Sequence, residues 1–126
     1  MFEIPIKDKS ELLALHKVLM AAKFHPEPNL PECQGNPLVA SIADRVCETL
    51  IEIERSAGNK KAVAEWERWR TADMERLESK LLLKRISASN WWSSADENSR
   101  RTFINAFMAP LKLNDKDIQY IIEAKC

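Results

Sequence analysis

The segment between Asn36 and Gly58 constrains the fold more than any other part of the chain, because it predicts one long amphipathic helix with both ends marked. Asn36 is a good N-cap, Pro37 suits the first helical position, and Gly58 suits the exit from the last turn. From Val39 to Ala57 the apolar residues form one narrow stripe, which predicts a helix facing a core. The residues that we expect to be almost fully buried are Ile42, Val46, Leu50 and Ile53.

Helical patterns also dominate the rest of the chain. The short turn at Gly58 and Asn59 predicts that helices two and three form an antiparallel hairpin. Helix three would run for about 40 Å at 1.5 Å per residue, so it must cross the whole molecule, bend or project. A capping box from Ser94 to Glu97 opens helix four, and Pro110 closes it. The predicted helices cover approximately residues 8–25, 37–57, 60–86, 94–109 and 114–124.

The fold class that follows is all-α, a single bundle of about five helices built on the hairpin of helices two and three. We expect one domain over residues 1–126, because neither half is large enough to bury a core comfortably alone. In the N-terminal tail, defined as residues 1–7, apolar residues alternate around Pro5, so we expect an extended segment laid on the helices. Four prolines between residues 25 and 37 predict a non-helical crossing loop.

Charge and cysteine content limit the partners and the compartment. Nineteen basic and nineteen acidic residues give a formal net charge of zero, so there is no general attraction to nucleic acid or to anionic lipid. No apolar run is long enough for a membrane span. Cys33, Cys47 and Cys126 are odd in number and widely spaced, which favours reduced thiols. We therefore expect a cytoplasmic protein that does not associate with membranes. Nucleic acid is an unlikely partner.

Catalytic chemistry has little support in the sequence. Motifs for dinucleotide, nucleotide or zinc-protease sites are missing, and two glycines cannot build a phosphate-binding loop. The two histidines, His16 and His25, are better explained by packing and solvation, although Cys33 and His25 could form a nucleophile pair on one loop. We expect no enzyme, no catalytic residues, no cofactor and no metal site.

The unusual feature is the apolar face of helix three. At 100° per residue, Arg70 and Asp73 fall within about 40° of Trp66 and therefore lie inside a stripe of tryptophan, alanine and leucine residues. Charged groups in a core are costly unless they are paired, whereas tryptophan and arginine are typical of interface centres. One interpretation is that Arg70 stacks on a tryptophan at the edge of the bundle. The other is that Trp66, Trp69, Arg70 and Asp73 bind a partner.

Trp91 and Trp92 extend this hypothesis. Two adjacent residues near a helix end cannot usually both face one core, so one ring could fill the bundle while the other remains half exposed. An equal alternative is that both rings are core residues. We include both as candidate partner-binding residues.

The function that these observations favour is a non-catalytic cytosolic protein-binding module, such as a small accessory, inhibitor, immunity or antitoxin-like factor, that acts through helix surfaces. Its partner is another protein, and a homodimer is one option. The alternative is a nucleic-acid-associated regulator that uses helices four and five, where Arg100 and Arg101 are basic. That alternative is weakened by Asp115 and Asp117, which lie at the start of the would-be recognition helix and would repel phosphate.

Overall fold

The computed structural model describes residues 1–124 and is 69% helical, with six α-helices and no strand in that range. The all-α class is therefore confirmed. Two short 3-10 turns, Pro31–Cys33 and Trp92–Ser94, interrupt the connections, and Cys126 lies outside the described residues. The helices are α1 (Lys9–Lys23), α2 (Pro37–Ser56), α3 (Lys60–Arg70), α4 (Leu77–Ala88), α5 (Glu97–Met108) and α6 (Asp115–Glu123).

Side-chain caps define most helix starts as the sequence predicts. Asp8 accepts a hydrogen bond from the Glu11 amide at 2.9 Å, and Asn36 accepts from the first turn of α2. Gly58 adopts a φ of 73°, which glycine tolerates best, and so closes the α2–α3 turn. The predicted capping box at Ser94 is wrong, because Asp96 caps α5 through the Ser99 amide at 2.7 Å.

The prediction of one helix from residue 60 to 86 is wrong. The chain leaves the helical path after Arg70, where residues 71 and 112 form an isolated parallel bridge. The Ala72 amide donates to the Lys112 carbonyl at 2.9 Å, and the Lys112 amide donates to the Arg70 carbonyl at 2.8 Å. Asp73 then caps the next turn through the Glu75 amide at 3.0 Å. Hydrogen bonds to the backbone of Lys112 thus replace those that would continue the helix. No proline or glycine in the sequence marks the break.

The buried apolar side chains form two main clusters. The N-terminal cluster joins α1 and α2 through three buried residues, which are Leu12, Val46 and Leu50. The C-terminal cluster joins α4, α5, α6 and their connections; its buried residues are Ala72, Leu82, Ile86, Trp92, Ile104, Phe107, Met108, Leu111, Leu113, Ile118, Ile121 and Ile122.

The predicted burial of α2 is correct only in part. Val46 and Leu50 are buried, but Ile42 is 41% exposed and Ile53 is half-buried. Because α2 packs against α1 on one side and α5 on another, its buried arc is wider than the predicted stripe and is rotated away from Ile42. The arc that the structure buries contains Ala40, Ala43, Val46, Cys47, Leu50, Ile51 and Glu54.

Candidate functional site

The N-terminal tail is extended, but its outer half does not lie on the helices as the sequence suggests. Phe2 is 103% exposed and Ile4 is 87% exposed, whereas Ile6 is 40% exposed. The tail ends at the start of α1, where the Asp8 side chain accepts a hydrogen bond from the Glu11 amide. The tail therefore presents a row of uncovered apolar side chains to solvent.

Beside the tail lies an apolar groove between α1 and α2, with a cavity volume of about 580 Å³. Leu12, Leu15 and Ile42 form part of its floor and walls, and Arg45 lies at its edge. Lys9 pairs with the buried Glu54 at one end of the groove, and this hydrogen bond holds the pKa of the Glu54 carboxyl below its usual range. The remaining lining residues are Phe2, Ile4, Ile6, Asp8, Lys9, Val46, Thr49 and Ile53.

A second surface lies between α1 and α3, where His16, Trp66 and Trp69 form what we call the aromatic box. Ring centroids lie 5.3 Å apart for His16 and Trp66, 5.1 Å for His16 and Trp69, and 5.7 Å for the two tryptophans. The three ring planes meet at 83°, 69° and 85° in the same order. The rings line an open cleft of about 370 Å³ together with Ala62 and Glu65.

The imidazole of His16 is buried, and its Nδ1 has no hydrogen-bond partner within residues 1–124. Burial lowers the pKa of His16, so the ring is neutral near pH 7. One cation already uses this aromatic surface, since the Arg76 guanidinium lies 5.3 Å from the Trp69 ring centroid. The three rings of the box are therefore uncharged near pH 7, and one of them, Trp69, already contacts a cation outside the cleft.

Arg70 points into the molecule rather than away from it. Its guanidinium donates to the Pro110 carbonyl at 3.0 Å, pairs with Glu48, and lies 3.4 Å from Asp44. This pairing holds the pKa of the Glu48 carboxyl below its usual value. Arg70 thus ties α3 to α2 and to the segment after α5, and it forms no pair with Asp73, which is exposed and caps a turn.

The two adjacent tryptophans differ in burial, which is the first of the two predicted arrangements. Trp92 is buried at 3% exposure, while Trp91 is 39% exposed. Both rings contact Phe103, and the Arg100 guanidinium lies 5.1 Å from the centroid of the Trp92 ring. Trp92 therefore fills the C-terminal cluster, and Trp91 remains partly open at its surface.

His25 and Cys33 line a common cleft of about 320 Å³. The Nδ1 atom of His25 accepts a hydrogen bond from the Glu27 amide at 3.0 Å, which leaves the proton of the neutral ring on Nε2. A neutral imidazole with Nδ1 occupied and Nε2 protonated has no free nitrogen to take a thiol proton. In residues 1–124, no group of three or more histidine, cysteine or acidic side chains could hold a metal ion.

The helices proposed for nucleic-acid binding use their arginines internally. Arg100 donates to the backbone carbonyls of Trp92, Ser93 and Ile122, at 3.0, 3.3 and 2.8 Å. Arg101 donates to the Gln119 side chain at 3.0 Å. These contacts join α5 to α6 and to the preceding turn, so Arg100 is not available for phosphate.

A comparison of the chain with protein-family models, with curated proteins and with solved structures finds no match. None of the helices in residues 1–124 has the length and apolar character needed to cross a membrane. The fold and the site together define the class as an all-α protein with two open apolar surfaces beside α1, namely the groove and the aromatic box.

Sequence reasoning found two of the three box residues and missed His16. Its signal was present, because His16 follows Leu12 by four residues and precedes Leu19 by three, which places it on the buried arc of α1. The sequence does not show that this arc of α1 lies against α3. The groove was missed because the tail and Ile42 were both expected to be covered.

Proposed function

We propose that the chain is a non-catalytic protein-binding module of the cytoplasm, and that the groove between α1 and α2 is its binding surface. The observation that carries the proposal is the uncovered apolar surface that Phe2, Ile4 and Ile42 form around the groove. Contiguous exposed apolar patches on folded proteins usually mark interaction sites. The free thiols of Cys33 and Cys47 suit a reducing compartment.

A second copy of the chain is the partner that best fits the groove. The tail places Phe2, Ile4 and Ile6 on one side of an extended segment, over about 13 Å at 3.3 Å per residue. The groove extends along α2 from Ile42 to Ile53, about 16 Å at 1.5 Å per residue. The tail lines the groove of its own chain in the monomer, and it has the length and the apolar spacing to exchange into the same place in a second copy.

Charge complementarity supports the same pairing. Glu3 lies between Phe2 and Ile4 in the tail, and Arg45 is one of the residues that line the groove. Reciprocal exchange of tails between two copies would satisfy both grooves and close the assembly with twofold symmetry. Homodimerisation is thus the specific form of protein binding that we propose.

The candidate partner-binding residues from the sequence divide into two groups. Trp66, Trp69 and Trp91 are partly exposed and remain candidates for additional contacts. Three others have roles within their own chain, and we leave them out of the proposed surface. These are Arg70, Asp73 and Trp92.

The test is the native mass of the wild type and of a Phe2→Ser/Ile4→Ser double variant, measured by light scattering over a range of concentrations. The wild type should shift from monomer to dimer with concentration, and the double variant should remain monomeric. Both substituted side chains are exposed, so helicity and the midpoint of unfolding of the isolated monomer should not change.

Leu77→Ser is the matched control, because Leu77 is 77% exposed and lies on α4, away from the groove. It should dimerise as the wild type does. A wild type that stays monomeric at every concentration, or a control that loses dimerisation equally, would overturn the proposed pairing.

A further inference from the structure

The aromatic box is a separate surface from the groove, because no residue lines both clefts. Its three rings come from two helices and meet nearly at right angles. A cleft of about 370 Å³ is within the size range of small-ligand sites, which starts near 300 Å³. The cleft is open to solvent, so a ligand there would rest on the aromatic rings rather than be enclosed by them.

We propose that the aromatic box binds a quaternary ammonium group, seated on Trp66 and Trp69 beside the Glu65 carboxylate. Quaternary ammonium ions are the cations that aromatic cages recognise, because their methyl groups contact ring faces and their charge is attracted to the ring quadrupole. The group could belong to a free small cation or to a trimethylated lysine side chain.

The geometry meets the distance requirement for this interaction. The three ring centroids form a triangle with sides of 5.1, 5.3 and 5.7 Å. A cation about 3.5 Å above the centre of that triangle would lie within about 5 Å of every centroid, inside the roughly 6 Å range of cation–π attraction. The centroid distances are therefore compatible with one cation near all three rings.

The charges around the box favour a cation over an anion. Glu65 is exposed and lines the cleft, whereas the buried His16 ring is neutral and does not repel a positive ligand. The Arg76 guanidinium lies over the Trp69 ring but does not line the cleft, and it pairs with Glu78 at 3.1 Å. The contact between Arg76 and Trp69 thus lies outside the cleft and leaves Glu65 as the charged residue that lines it.

The binding test compares choline with 3,3-dimethylbutan-1-ol, its uncharged analogue of the same shape, by following the indole N–H signals in NMR titrations. Choline should bind roughly tenfold more tightly, because only the charged ligand gains cation–π attraction. Equal binding of the two compounds, or no shift with either, would overturn the proposal.

Two variants connect the effect to the box. Trp66→Ala should abolish choline binding, but Trp66 also packs on the N-terminal cluster and its loss could unfold that end. Glu65→Gln avoids this problem because the side chain is exposed, and it should weaken choline binding about threefold by removing one exposed charge. Glu67→Gln, on an exposed residue of α3 outside the cleft, is the matched control and should bind as the wild type does.

Peptides then distinguish the two sources of the ammonium group. A trimethyllysine peptide that binds more tightly than choline, and much more tightly than the same peptide with unmodified lysine, would assign the box to methylated protein. Choline that binds as tightly as the trimethyllysine peptide would assign it to a free cation. Because the box shares no lining residue with the groove, the Phe2→Ser/Ile4→Ser variant should bind choline normally whether or not the chain dimerises.

Discussion

The two apolar clusters of the molecule are closed to very different degrees. The C-terminal cluster holds twelve buried residues and six that are only partly covered, so most of its apolar side chains are closed to solvent. The N-terminal cluster holds three buried residues and five that are only partly covered, and it borders both the groove and the aromatic box. Burial of apolar surface is the main source of folding stability. The C-terminal cluster therefore supports the fold, while the N-terminal cluster retains apolar surface that can bind a partner.

Polar contacts differ less between the two clusters than apolar burial does. Arg100 connects α5 to α6 and to the Trp92 turn through three carbonyl groups, so hydrogen bonds lock the C-terminal cluster as well. Within residues 1–124, the imidazole Nδ1 of His16, near the N-terminal cluster, and the indole Nε1 of Trp92, in the C-terminal cluster, are both buried without a partner. An unsatisfied buried polar atom costs folding free energy, typically about 1–3 kcal/mol. Because this cost falls on both ends of the molecule, the contrast between the clusters rests on apolar burial and on the carbonyl contacts of Arg100.

The largest effect should come from the centre of the C-terminal cluster. Phe107 is fully buried, and Phe107→Ala should lower the free energy of unfolding by about 3–5 kcal/mol through lost burial and a cavity. Tyr120→Ala, at a residue 66% exposed on α6, should change it by less than about 0.5 kcal/mol. Urea unfolding followed by circular dichroism measures both, and similar losses would mean that the cluster is not the stabilising core.

A matched pair of leucines tests the contrast directly. Leu82 and Leu50 are both 0% exposed, one in each cluster. Leu82→Ala should cost about 3–5 kcal/mol, whereas Leu50→Ala should cost only about 2–3 kcal/mol, because partly covered neighbours can move into the space and water can enter from the groove. A larger loss at Leu50 would contradict the view that the N-terminal cluster is the looser one.

Buried Lys23 makes stability depend on pH. Its side chain is fully buried and its Nζ atom donates to the Ala106 carbonyl at 2.6 Å, and burial lowers its pKa to about 8. Between pH 8 and the ordinary value of 10.5, the unfolded chain holds a proton that the folded chain has released, so stability rises with pH.

The comparison with Lys23→Met isolates this effect. From pH 7 to about pH 9.5, the wild type should gain about 2 kcal/mol of unfolding free energy relative to the variant, at about 1.4 kcal/mol per pH unit. Other groups titrate equally in both proteins and cancel in the difference. Stability curves that run parallel over this range would show that Lys23 keeps its ordinary pKa in the folded state.

The sequence predicted what depends on local rules. Caps at Asp8, Asn36 and Asn114, and the Gly58 turn, all lie where short-range chemistry places them. The break after Arg70 was not predictable in the same way, because it depends on backbone hydrogen bonds to Lys112, forty residues along the chain. Local helix propensity favours continuation there, and tertiary contacts override it.

The site was predictable in composition but not in geometry. Helical periodicity placed Trp66 and Trp69 on one face, and it also placed Arg70 close to that face. Periodicity gives the direction of a side chain around the helix but not its contacts with other helices. Arg70 is held by Pro110, Glu48 and Asp44, from two other parts of the chain. Only the three-dimensional arrangement of α1, α2 and α3 separates the internal arginine from the open tryptophans.

The smallest expected effect is at Ile42, which tests whether exposed apolar surface at the N-terminal end contributes to the fold or to binding. The stripe of α2 assigned it to the core together with Leu50, but its side chain is 41% exposed beside the groove. Ile42→Ser should therefore lower the unfolding free energy of the monomer by only about 1 kcal/mol at low concentration, which is less than the loss expected for Leu50→Ala. At concentrations where the wild type dimerises, the same change should weaken association, because the tail of a second copy would lose an apolar contact in the groove. A large loss of monomer stability would instead place Ile42 in the core, and the contrast between a closed and an open cluster would no longer hold.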